Sequence, residues 1–229
     1  MPAAVHSEVA GFVFDAYGTL FDVQSVARLA EELAPRHGDL LAQLWRSKQL
    51  EYTWLESLMA GRKRDDFRTI TALALDYAAE QLKVPLGAME KGRLCDAYLT
   101  LDPFEDARAT LASLDPFPRW ILSNGTLAML TPLVRHARME SLLAGILSVD
   151  LVDVYKPAPQ VYALAVEKLS LPPNRIGFVS ANCWDAIGAR AFGFTTFWIN
   201  RRGVPVDRHG PAPHHVLGSL TDLPAMVGA

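Results

Sequence analysis

Five short runs rich in Val, Ile, Phe and Trp constrain this chain most: Val9 to Asp15, Arg119 to Asn124, Gly145 to Val149, Arg175 to Asn182 and Phe194 to Asn200. Segments of helix length lie between the later runs: Thr126 to Arg138, Pro159 to Leu169 and Ala186 to Phe192. In the second of these, Val161, Leu164, Ala165 and Lys168 follow three- and four-residue spacing. Strands that alternate with helices are joined by crossovers, which makes them parallel and covers both faces of their sheet. The expected fold class is therefore α/β, a doubly wound parallel sheet of Rossmann-like type. From about Phe21 to about Leu99 the strand-like runs vanish, and helical stretches begin near Val23, Leu40, Phe67 and Leu86. This reads as a helical cap subdomain, residues 21–99, inserted into a core of residues 1–20 and 100–229. Its edges fall where the chain can turn, at Gly18–Thr19 and at Pro103.

The 229 residues suffice for one large domain carrying such an insertion. A formal charge of −3, with no block of like charges, gives nucleic acid no electrostatic footing. No uninterrupted apolar stretch reaches membrane-spanning length, so no membrane partner is expected. The start, MPAAVHSEVA, lacks the cationic and apolar regions of an export signal. Cys95 and Cys183 stand far apart with no CxxC, which argues against a disulfide framework or a structural zinc. A cytoplasmic protein with a small-molecule partner is the resulting expectation. The tail after Arg201, with His209, His214 and His215, matches no metal motif and reads as a solvated loop.

In an open parallel sheet the binding crevice lies beyond the carboxyl ends of the strands. Those ends carry Asp15 and Thr19, then Ser123 and Asn124, then Lys156, and finally Ser180, Asn182 and Asp185. Lys156 precedes Pro157, which pushes it out of helical conformation and projects its side chain from the strand end. Asp15 follows the apolar Phe12–Phe14; an aspartate there serves either to cap a turn or, with a lysine holding it ionised, as a partly dry nucleophile. In the cap, Lys48 has Glu51 as a helical partner, whereas Arg46 meets only Gln49 and Leu50. Arg46 is thus either a solvated surface group or a guanidinium on an apolar wall facing the crevice.

The segments DAYGTLFD, LSNGT, YKP and SANCWD, in that order, resemble the four motifs of the haloacid dehalogenase superfamily over nearly the whole chain. Within it, LFDVQSV, LWRSKQLEYTWLESLM, LCDAYL, SVDLVDVYKP and ARAFGFTTFWINR look like the L-2-haloacid dehalogenases, cap included. The superfamily's magnesium-dependent phosphatases carry a second aspartate where this chain has Tyr17, and a metal-binding aspartate where it has Ala181. The resemblance therefore implies hydrolysis of an (S)-2-haloacid to an (R)-2-hydroxy acid through an ester on Asp15, with no metal and no organic cofactor. In that pattern Thr19 orients Asp15, Arg46 receives the halide, and Ser123 and Asn124 bind the substrate carboxylate. Ser180, Asn182 and Asp185 position Lys156 and the hydrolytic water, and Tyr162 joins that network. Tyr17, Leu50, Phe67 and Trp184 are candidates for the apolar pocket, although each also suits plain core. A homodimer is implied as well. A magnesium-dependent phosphatase and a non-catalytic small-acid-binding protein stand as alternatives. Two departures from the pattern, Ser47 after the arginine and a longer loop between Met59 and Phe67, bear on chain-length preference.

Overall fold

The computed structural model describes residues 9–59 and 63–228. The start of the chain and part of the loop before Phe67 therefore lie outside the described residues. In chain order the elements are β1 (Gly11–Phe14), α1 (Ser25–Leu33), α2 (Gly38–Leu58), α3 (Phe67–Gln81), α4 (Ala88–Ala97), α5 (Glu105–Ser113), β2 (Arg119–Ser123), α6 (Leu127–His136), β3 (Gly145–Ser148), α7 (Pro159–Leu169), β4 (Ile176–Ser180), α8 (Cys183–Phe192), β5 (Thr195–Ile199), β6 (His215–Leu217) and α9 (Leu223–Val227).

Among the described residues six strands form one sheet in the order β3-β2-β1-β4-β5-β6, every neighbouring pair parallel. β1 is central and buried along its whole length, as its unbroken apolar run requires. Phe14 aligns with Ile121 of β2 and with Val179 of β4, so the residues that follow these three strands emerge side by side. The chain order also reverses beside β1, the position at which doubly wound sheets open a crevice. Phe12 meets Phe117 edge-on at 5.3 Å beneath the sheet. Burying rings of this size contributes about 1.5–3 kcal/mol each.

After β1 the backbone turns at Gly18, whose φ of 88° is one that side-chain-bearing residues rarely adopt. The chain leaves for the helical segment and returns alongside itself: Phe21 bridges to Tyr17 and to Pro103, and Phe104 N–H donates to the Leu20 carbonyl at 2.9 Å. Helices α1 to α4 pack on one another over this neck. Asp66 caps α3 by accepting from the Thr69 N–H, and just before it Arg64 ties the helical segment to the residues after β3. Its guanidinium pairs with Asp150 at 2.8 Å and Asp153 at 3.1 Å and lies over the Tyr155 ring.

Two expectations are corrected. The tail is not wholly a solvated loop, because His215 lies in β6 and stacks on Phe197 at 4.9 Å, while the Thr196 N–H donates to His214. Helix α8 starts at Cys183 and not at Ala186, because the backbone winds directly after Asn182 and so brings Asp185 into the first helical turn.

Candidate active site

The strand ends converge on Asp15. Its Oδ2 accepts from the Thr19 hydroxyl at 2.9 Å and from Asn182 Nδ2 at 2.8 Å, while Oδ1 accepts from Lys156 Nζ at 3.1 Å. A carboxylate that receives three donors suits its ionised, acceptor-only form. Thr19 is itself held, since its oxygen accepts the Ala181 N–H at 2.8 Å. Lys156 continues to Asp185 Oδ2 at 2.9 Å, and the Tyr162 hydroxyl donates to Asp185 Oδ1 at 2.8 Å. Asp15, Thr19, Lys156, Tyr162 and Asp185 are buried and Asn182 is half-buried; Asp15 keeps only 6% of its surface and Asp185 none.

Burial sets the electrostatics of this network. It pushes Asp185 up to about 6, opposed by the Lys156 charge and reinforced by Asp15. Burial alone would lower the Lys156 ammonium, but the two carboxylates beside it outweigh that and hold it above its ordinary value. The Tyr162 phenol is driven well above its usual range by burial and then by Asp185, so it stays an O–H donor.

Among the described residues neither the Asn182 nor the Ser180 side chain hydrogen-bonds Lys156 directly. The Asn182 side chain leaves the N-cap of α8 unmade and reaches Asp15 and the Tyr17 carbonyl, because a buried carboxylate is a stronger acceptor attraction than a helix-end N–H is a donor one. Ser180 bonds within its own loop, its oxygen accepting the Asn182 N–H at 3.1 Å. Lys156 is seated from the other side, where its backbone N–H donates to Asn124 Oδ1 at 3.0 Å. That bond leaves the Asn124 amide hydrogens free to donate elsewhere. Ser123 accepts the Gly125 N–H at 3.1 Å, and Ser148, a strand-end residue outside the sequence candidates, donates to the Gly125 carbonyl at 2.8 Å.

The helical segment closes over this network with aromatic rings. Tyr17 stacks on Phe67 at 5.5 Å and tilts against Tyr98 at 5.6 Å. Burial raises both phenols, and the Arg46 charge opposes that rise in each. Among the described residues no carboxylate pairs with Arg46; Gln49 Oε1 accepts from its Nη1 at 2.6 Å. Gln49, Thr71 and Tyr98 are buried members of this region that strand-end reasoning passes over. The signal was present in α2, where Leu41, Trp45, Gln49 and Thr53 form an inward stripe at four-residue spacing. Leu50 is half-buried on the same helix. Trp184 turns to Trp54 at 5.6 Å and lines an apolar groove of about 1210 Å³ beside Pro157, not the Asp15 carboxylate.

The residues present do not suit magnesium. Ala181 puts a methyl group where a carboxylate ligand would be needed, and the Lys156 ammonium already lies between Asp15 and Asp185. Tyr17 also offers no carboxylic acid to protonate a leaving oxygen. A leaving group that departs as a stable anion fits these residues, with the Arg46 guanidinium on the cap side free of any carboxylate partner among the described residues.

The family model for haloacid dehalogenase-like hydrolases matches residues 9–193. The (S)-2-haloacid dehalogenase of Pseudomonas sp. strain YL is 44% identical over 93% of this chain and 91% of that protein. The L-2-haloacid dehalogenase of Xanthobacter autotrophicus, solved with chloropropionic acid covalently bound, superposes with a TM-score of 0.88. It is 38% identical, over 95% of this chain and 98% of that one. A further solved L-2-haloacid dehalogenase is 43% identical with a TM-score of 0.94, over 97% of this chain and all of the other.

Proposed function

The chain belongs to the haloacid dehalogenase-like hydrolases, and from that premise we propose that it is an (S)-2-haloacid dehalogenase in which Asp15 is the nucleophile. The observation that carries this reading is the Asp15 carboxylate held by Thr19, Asn182 and Lys156 with the second carboxylate, Asp185, behind the lysine. Thr19 and Asn182 fix Oδ2 and Lys156 alone meets Oδ1, so Oδ1 has a lone-pair direction open for attack. Ser123 and Asn124 hold the substrate carboxylate, while Tyr17 and Phe67 wall its alkyl carbon. Oδ1 displaces the halide from the rear of C2; the C–O bond forms as the carbon–halogen bond breaks, and the halide leaves with the bonding pair toward Arg46.

Water then adds to the Asp15 carbonyl carbon. Asp185, raised by burial to about 6, takes its proton as general base. Collapse breaks the bond between that carbon and the ester oxygen, which leaves on C2 as the hydroxyl of the (R)-2-hydroxy acid after protonation. Asp15 regains its charge, and one proton passes to solvent with each halide released. No metal or organic cofactor takes part.

The same reading takes residues 21–99 as the cap and residues 1–20 and 100–229 as the core. It makes the protein a cytoplasmic homodimer, supported by exposed Leu55 and Leu58 on α2 and Leu73 on α3. Among the described residues no helix is long and apolar enough to cross a membrane.

Single turnover in heavy-oxygen water, with enzyme in excess over (S)-2-chloropropionate, tests the mechanism. Direct attack by Asp15 places solvent oxygen in the Asp15 side chain and unlabelled oxygen in the lactate, both read by mass spectrometry. A labelled product with an unlabelled Asp15 peptide would overturn covalent catalysis.

A further inference from the structure

The interior between α2 and α3 holds a chain of polar groups that an apolar helix contact does not need. Arg46 Nη1 donates to Gln49 Oε1 at 2.6 Å, Gln49 Nε2 donates to Thr71 Oγ1 at 2.7 Å, and the Thr71 hydroxyl donates to the Phe67 carbonyl at 2.6 Å. Trp45 Nε1 adds a bond to the Thr71 carbonyl at 2.7 Å. Gln49 and Thr71 have no exposed surface at all. The chain begins at Arg46, which the reading above places at the leaving halide, and ends at Phe67, the residue that stacks on Tyr17.

A guanidinium on a flexible stem stabilises a departing anion only if it already points at the place where charge develops. Gln49 supplies that orientation, because its own amide is pinned by Thr71 and cannot turn away. An amide also serves better than a carboxylate here, since it accepts from Arg46 without cancelling the positive charge. On the dehalogenase reading above, we infer that Gln49, anchored by Thr71, is the positioning residue that aims Arg46 at the leaving halide and so sets how strongly the rate depends on which halogen leaves.

The role separates the two chemical steps. Arg46 acts while the carbon–halogen bond breaks and has no task once the halide has gone. In Gln49→Met, which keeps side-chain length but offers no acceptor, ester formation from (S)-2-chloropropionate should slow about tenfold or more. Decay of the ester should be unchanged. The ratio of bromide to chloride rates should rise, because cleavage then rests more on the halide's own leaving ability. Gln49→Glu should show the same pattern, since an ion pair with Arg46 quenches the charge. Thr71→Val should reproduce it and Thr71→Ser should restore the wild-type ratio.

Rapid-quench measurement of both steps, with thermal melting to establish folding, tests this. A folded Gln49→Met protein with unchanged ester formation and an unchanged bromide-to-chloride ratio overturns the inference, as does equal slowing of both steps. If Gln49→Met does not fold, an unchanged ratio in Thr71→Val overturns it. Wild-type protein that releases no halide overturns the dehalogenase reading and this inference with it, whereas an active wild type with indifferent variants overturns the inference alone.

Discussion

Replacing Tyr162 by Phe removes one oxygen from the buried network and should move the pH dependence of ester hydrolysis. The Tyr162 hydroxyl donates to Asp185 Oδ1 at 2.8 Å, and that bond holds Asp185 down against a burial that raises it to about 6. A hydrogen bond to a charged group contributes about 1.5–3 kcal/mol. At about 1.36 kcal/mol per pKa unit, its loss raises Asp185 by about one to two units, with Lys156 still paired to the other oxygen. The sign follows directly: a general base works when ionised, its activity is lost as pH falls through its pKa, and a higher pKa moves that acid limb to higher pH. With a one-unit shift, the variant at pH near 6 should hydrolyse its ester about fivefold more slowly than wild type, and the two should converge above about pH 8. The assay is rapid-quench decay of the Asp15 ester across pH, with enzyme in excess. An acid limb that stays in place, or a slowing equal at every pH, would refute both the base assignment of Asp185 and the tuning role of Tyr162.

Arg46→Lys keeps the charge but not the planar fork, and ester formation should fall about a hundredfold, read as the rate of the halide burst. Turnover should survive EDTA, since Ala181 removes one metal carboxylate and Tyr17 the acid; loss on chelation that magnesium restores would refute this. Gly188→Ala should destabilise by about 1–3 kcal/mol in thermal melts, against the usual gain of alanine in a helix. The added methyl would stand 2.6 Å from Pro157 Cβ and 2.7 Å from the Tyr162 oxygen. The same variant should shift the acid limb upward, because the displaced hydroxyl loses its hold on Asp185.

The α/β class, the parallel sheet, the helical insertion and most of the polar strand ends were legible in the sequence. They depend on local periodicity: a strand buried on both faces must read as an apolar run, and its end must be polar where the crevice opens. Asp15, Thr19, Lys156 and Asp185 could be named on that ground alone. Which of them touch could not be, because contact is a matter of tertiary geometry. Asn182 and Asp15 are distant in sequence, and only the β1–β4 register brings the amide onto the carboxylate in place of the helix cap it would otherwise make. Gln49 and Thr71 escaped for a related reason. A polar residue on a helix reads as solvated until the packing of α2 on α3 turns it inward, and the family motifs emphasise the arginine, not what holds it. The short β6 escaped because three residues in a tail rich in Gly, Pro and His carry no periodicity of their own; the open edge of β5 supplies the hydrogen bonds that make them a strand. Sequence thus determines the elements and the chemical inventory of the crevice, because those follow from local pattern. Folding decides the partner of each buried donor, because a buried polar group must be satisfied by whatever the packing places within reach.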